Sequence, residues 1–186
     1  MGEEQFSGSV FPWTYSTIAD SDAAKVDHGE VIAEVHGLKR SSKWRTVERT
    51  YKEAHPACAC CGKTYPGGRG IQIHHRFPFH DCILAGRADL ELDERNLISL
   101  CEDEKGVETN DCHFVVGHCC SFRSFNPTVE EDAAGPWHGL TKTQIEQLDE
   151  FIEKVRNRPK SYPGMTADEQ TAFRNMLDQR MPPLGS

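Results

Sequence analysis

Between residues 58 and 113 two cysteine pairs bracket a histidine doublet: Cys58-Ala-Cys-Cys61, His74-His75, Asn96-Leu-Ile-Ser-Leu-Cys101 and Cys112-His113. Thiolates favour a structural zinc, whereas imidazoles beside a polar turn suit a second, hydrolytic metal. Two kinds of metal site in so short a segment constrain the fold more than any hydrophobic pattern does. They point to a small metal-dependent nuclease.

The chain has eight cysteines, an even number that also fits disulfides. Residues Met1 to Ser9 lack the basic start and apolar run of a signal peptide, so an intracellular, cytoplasmic protein with reduced thiols is expected. Zinc is therefore the favoured reading of the Cys-x-x-Cys pattern. Cys60, Cys82, Cys119 and Cys120 fall outside the simplest zinc set and read as buried thiols. No run approaches the length of a membrane span. At 186 residues, 37% hydrophobic and 27% charged, the chain suits one domain with extensions.

A net charge of −8 argues at first against a nucleic-acid partner, but its distribution does not. Residues 36–76 carry nine Lys/Arg against two Glu, a balance of +7 immediately ahead of the candidate site. Residues 1–35 carry −6, and residues 77–113 carry −7. Phosphate contact requires a basic patch rather than a basic protein, because screening weakens distant charges.

Residues 1–38 show no sustained periodicity and read as an irregular N-terminal arm. Ser41-Ser42 starts a helix with Trp44, Val47, Tyr51 and Ala54 on one face and Lys43, Arg45, Arg49 and Lys52 on the others; Pro56 stops it. Pro66-Gly67-Gly68 marks a turn, and the alternation in residues 71–75 marks a strand. Residues 76–95 read as a long connection, residues 96–101 as a second strand, and residues 112–122 as a helix. Thr141-x-x-Gln144 and Thr166-x-x-Glu169 are capping boxes that open two C-terminal helices. The expected division is arm 1–38, catalytic domain 39–126 including the basic helix, and helical extension 127–186.

Phosphodiester hydrolysis needs a proton acceptor for water and relief of phosphate charge, which a neutral imidazole and a divalent ion provide. Neighbouring histidines on a strand point to opposite faces, so one can ligate while the other meets water. Asn96 offers an amide able to pin the loop carrying such a base. Arg76, following the doublet, is a candidate phosphate contact. His28, His36, His55, His80 and His138 read as surface or satisfied histidines.

The ordered set His74-His75, Asn96 and Cys112-His113 within its cysteine frame resembles the HNH endonuclease family over residues 56–123, about a third of the chain. The resemblance implies an α+β fold: a ββα-metal finger with structural zinc, flanked by helices. It gives His75 the general-base place, Asn96 the orienting place, and His74 and His113 the places of ligands to Mg²⁺ or another divalent ion. His118 takes a further ligand place, because members with a His-His doublet carry two helix histidines four residues apart. Cys58, Cys61, Cys101 and Cys112 match the zinc knuckles of many members, with Cys119-Cys120 able to compete for the fourth position. The implied partner is DNA, double-stranded, bound by Lys43, Arg45, Arg49, Lys52 and Arg76.

Two features depart from that pattern. Ten residues separate Cys101 from Cys112, where the family keeps a short knuckle. His113 and His118 are five apart, about 140° around an ideal α-helix. They can share an ion only if His113 sits at the helix entrance or the turn before Gly117 is distorted. Two further readings stand beside the nuclease: a non-catalytic, zinc-stapled nucleic-acid-binding module, and an oxidised cysteine-rich scaffold or secreted toxin.

Overall fold

A computed structural model of the chain describes residues 38–104 and 106–184. Apart from Leu38, the N-terminal arm lies outside the described residues. The architecture is α+β, with a two-stranded antiparallel sheet among short helices.

Helix α1, Trp44–Ala54, forms where the sequence periodicity places it. Its Trp44 and Tyr51 are buried, and the Tyr51 hydroxyl donates to the Leu97 carbonyl at 2.8 Å, tying the helix to the sheet. Arg45 and Arg49 lie exposed on the other side. Beyond Pro56 the chain folds back in a tight knuckle, with Cys58 N–H donating to Lys63 O and Gly62 N–H to Cys58 O. Gly62 has a φ of 72°, a left-handed conformation glycine adopts without a Cβ penalty.

Strands β1, Ile71–His75, and β2, Leu97–Cys101, pair from Ile71 opposite Cys101 to His75 opposite Leu97. All of β2 is buried, and only Gln72 of β1 is exposed. The connection between the strands is more ordered than its composition suggests. It contains helix α2, Phe79–Leu84, and two 3₁₀ turns, Ala88–Glu91 and Glu94–Asn96. Asn96 therefore ends a turn rather than beginning the strand. Asp93 caps that turn, its side chain accepting from Arg95 N–H.

The helix expected over residues 112–122 is replaced by one π-helical turn, His113–Gly117, followed by a reversal. Cys119 and Cys120 both have positive φ, 46° and 59°, which no regular helix tolerates. Asn126 fixes the reversal: its N–H donates to Gly117 O at 2.9 Å and its side-chain amide to Val116 O at 3.1 Å.

Thr141 and Thr166 make the capping boxes read from the sequence. The first helix is split, however. Helix α4, Lys142–Ile145, follows α3, Val129–Ala134, and stops before Leu148, which is extended; α5, Asp149–Arg156, then starts afresh with two acidic residues in its first turn. Helix α6, Ala167–Arg180, is the longest among the described residues. Side chains on both sides of residue 126 share each core. Trp137, Ile145 and Phe151 pack with the sheet and knuckle, while Phe173, Leu177 and Met181 pack with Phe77, Cys82 and Leu90. No helix among the described residues is long and apolar enough to cross a membrane.

Candidate metal centres

Cys58 and Cys61 come from the knuckle, Cys101 from the end of β2 and Cys112 from the residue before the π turn. Their sulfurs all lie within 4.8 Å of one another, and Cys61 and Cys101 approach to 3.8 Å. Ligands at a Zn–S distance of about 2.3 Å around a tetrahedral centre stand about 3.8 Å apart, so the tetrad fits one zinc ion. Hydrogen bonding from Cys101 pulls the Cys61 thiol below its usual range, and hydrogen bonding from Cys112 brings Cys101 down to about 6. Hydrogen bonding with Cys101 pushes Cys58 and Cys112 up, so the four sulfurs share their protons unequally.

The excursion between Cys101 and Cys112 is stitched back on itself. Gly70 N–H donates to Glu104 Oε2 at 2.6 Å, Arg69 pairs with Glu104 at 3.1 Å, and Thr109 donates to Asp103 at 2.8 Å. Asp111, in left-handed backbone at φ 48°, turns the chain so that Cys112 meets the other three. Cys60 instead turns to the Trp137 carbonyl, and Cys82 to the Phe77 carbonyl. Neither Cys119 nor Cys120 joins a metal-type cluster among the described residues.

A second donor set is built by His74, His113 and His118, whose ligand nitrogens also lie within 4.8 Å of one another. Ring centroids are 5.1 Å apart for His74–His113, 4.7 Å for His74–His118 and 4.8 Å for His113–His118. The five-residue spacing works because of the π turn, whose i→i+5 repeat aligns residues that an α-helix would rotate apart. The distortion that the spacing required is present.

Two of these rings have fixed tautomers. His113 Nδ1 is 3.0 Å from the Glu102 carboxylate, and His118 Nδ1 is 2.7 Å from the Ser124 carbonyl. Both partners are acceptors, so in the neutral form of each ring Nδ1 carries the proton and Nε2 presents its lone pair. That is the usual outer shell of a metal-ligating histidine. Three neutral nitrogens suit a transition ion such as zinc better than Mg²⁺, which prefers oxygen.

Gly117 makes room for the third ring. A Cβ there would stand 3.1 Å from His74 Cε1 and 3.2 Å from each ring nitrogen. Gly117→Ala is therefore expected to push the imidazole off its position and weaken binding at the histidine set by roughly tenfold, leaving the thiolate site intact. Competition titration with a transition ion measures the first effect, and elemental analysis of tightly held zinc the second.

The histidine doublet diverges, as adjacent strand residues do. His74 packs against His113 and His118, whereas His75 packs against Trp44 at 4.6 Å and Phe79 at 5.8 Å. His75 Nε2 lies 2.9 Å from the Glu91 carbonyl, so the neutral ring holds its proton there and Nδ1 is the basic nitrogen. Only 6% of His75 is exposed, and burial, with Arg40 adding positive charge, lowers its pKa to about 3. The Arg40 guanidinium lies 4.5 Å over the Trp44 ring and 4.1 Å over the Phe79 ring.

Asn96 is fully buried and holds the exit from β1 on both sides. Its Oδ1 accepts from Phe77 N–H at 2.8 Å, and its Nδ2 donates to the carbonyls of Phe77 and Leu90, each at 3.0 Å. Arg76 occupies a different place from the expected phosphate contact. Its guanidinium donates to the Arg95 carbonyl and pairs with Glu130 at 2.5 Å, its side chain 13% exposed. Lys43, just before α1, and Arg45 and Arg49 on it are exposed, Arg49 in an ion pair with Glu53, and Lys52 is half-buried.

The sequence alone pointed to neither Glu102 nor Ser124, and to Gly117 only as the end of a distorted turn. The signal for Glu102 was its position directly after Cys101, mirroring His113 after Cys112. No family model, curated protein or solved structure matches the chain.

Proposed function

We propose that the chain is a metal-dependent endonuclease of the HNH type that hydrolyses DNA phosphodiester bonds, with β1, β2 and the π turn serving as its ββα-metal finger. The observation that carries this reading is the divergence of the doublet, one ring joining a three-histidine donor set while its neighbour is held by a backbone carbonyl with one basic nitrogen. Binding alone requires neither arrangement.

In this proposal Cys58, Cys61, Cys101 and Cys112 hold a structural zinc, and His74, His113 and His118 hold a catalytic divalent ion. That ion, when bound, supplies neutralisation of phosphate charge and stabilisation of the leaving 3′ oxygen. His75 Nδ1 accepts the proton of the attacking water. The Glu91 carbonyl keeps the opposite ring nitrogen protonated, and Asn96 fixes the segment leaving the base. In this reading water must reach His75 past the Trp44 and Phe79 rings packed on it, and hydration there would also relieve the burial that holds its pKa low. Cleavage then leaves 5′-phosphate ends, which ligase rejoins without kinase treatment; ends that need kinase would contradict the chemistry.

The exposed cations of α1 are assigned to the DNA backbone. Replacing Arg45, Arg49 and Lys52 with Gln is expected to weaken binding to unrelated duplexes and to flatten the salt dependence by up to about three charges. Fluorescence anisotropy across a salt series reads both. Equal slopes for the two proteins would make α1 a solvated face.

The burial of His75 favours one competing reading, a non-catalytic nucleic-acid-binding module stapled by zinc. That module would show the same salt dependence and no strand cleavage with any ion.

A further inference from the structure

The two donor sets are joined through one hydrogen bond. Glu102 directly follows the tetrad's Cys101, and His113 directly follows its Cys112. With both cysteines committed to the tetrad, the next side chains along each segment meet, Glu102 Oε1 lying 3.0 Å from His113 Nδ1. The backbone of Glu102 is fixed independently, its N–H donating to Gly70 O at 3.0 Å. Cys112 needs the left-handed turn at Asp111 to reach its place, so the register of His113 also depends on the tetrad.

The three histidines differ in what orients them. His118 is anchored by a backbone carbonyl in the reversal after the π turn, which substitution of a side chain does not remove. His74 is a strand residue wedged against Gly117. His113 has a side-chain carboxylate on its Nδ1. A carboxylate does more there than a carbonyl, because it polarises the Nδ1–H bond and strengthens Nε2 as a donor.

We infer that Glu102 is the positioning residue of the histidine centre, holding and polarising His113 for a transition ion, and that the cysteine tetrad places it. This rests on the proposed reading of His74, His113 and His118 as metal ligands. The segment between Cys101 and Cys112 thus acquires a role beyond spacing, since it delivers the outer-shell carboxylate to the ring that needs it.

The test uses the full chain carrying one zinc per molecule, titrated with Co²⁺ against a chelating competitor and followed by visible absorption. The wild type is expected to take one Co²⁺ with imidazole-type bands and no new thiolate charge transfer. Glu102→Ala should weaken Co²⁺ binding by about 10–100-fold, and Glu102→Gln, which keeps an acceptor without the charge, by less. Thermal unfolding of the zinc-only proteins should be the same for all three. On a His113→Ala background, Glu102→Ala should cause no further loss, because the pair acts as a unit.

Unchanged Co²⁺ affinity in both Glu102 variants would overturn the inference while leaving the histidine centre standing. So would a loss of affinity matched by an equal loss of stability in the zinc-only protein, which would make Glu102 a scaffold residue. A wild type that takes up no Co²⁺ beyond the thiolate site would overturn both this inference and the proposed catalytic centre.

Discussion

Replacing Cys112 with serine is expected to release the structural zinc and unfold the chain. The four sulfurs bring together the knuckle, the end of β2 and the start of the π turn, segments that otherwise meet through a two-stranded sheet and one modest core. A structural zinc contributes roughly 10–16 kcal/mol of apparent binding free energy, as much as the whole stability of a typical domain. Its removal therefore leaves no margin. Cys58→Ser should behave alike, and a strong chelator should melt the wild type. Elemental analysis gives the stoichiometry, about one tightly held zinc per chain, and circular dichroism gives the fold. A Cys112→Ser protein that keeps its zinc, beside a Cys119→Ser protein that loses it, would move the fourth ligand to the reversal after the π turn. All eight thiols are unbridged, so an oxidised scaffold predicts instead that reductant, not chelator, causes the collapse.

The second large effect belongs to His75. His75→Ala is expected to lower single-turnover DNA cleavage by at least about a hundredfold, because it removes the nitrogen to which the proposed mechanism assigns the proton of the attacking water. The buried ring also packs between Trp44 and Phe79, so the alanine variant gives up packing and should lose roughly 1–3 kcal/mol of stability. His75→Gln fills more of that space while lacking the base. It should retain zinc and DNA affinity yet cleave as poorly as the alanine variant. Wild-type rates in both variants would remove His75 from the chemistry.

What the sequence made legible were features fixed by motif order or short-range periodicity. The cysteine and histidine sets lie together in the order the motif resemblance implied, while Cys60, Cys119 and Cys120 of the same stretch stay outside them. Helix α1 followed from the spacing of Trp44, Val47 and Tyr51, and the starts of α4 and α6 from their capping boxes. The failures were tertiary. The π turn carries no periodic signature; what fixes it is a long-range anchor, Asn126 bonding to Val116 and Gly117. Its only trace in the sequence was the five-residue spacing of His113 and His118. The order within residues 76–95 comes from contacts such as Asn96 with Leu90, which no local pattern encodes. Arg76 looked like a phosphate ligand because its neighbour was catalytic in type, but Glu130, far along the chain, claims its charge. His75 was expected beside water, but it packs against Phe79 four residues on and against Trp44, about thirty residues earlier, which no local pattern encodes.

The most direct test of metal-dependent nuclease function is an add-back assay on supercoiled plasmid. The purified protein is treated with a chelator mild enough to leave the thiolate-bound zinc in place, then supplied with Zn²⁺, Co²⁺, Ni²⁺ or Mg²⁺ in separate reactions. The expected result is no relaxation after chelation and conversion to open-circular or linear DNA when a transition ion is restored, with Mg²⁺ less effective. Supercoiled plasmid that survives every ion, or cleavage that proceeds undiminished without one, would contradict it.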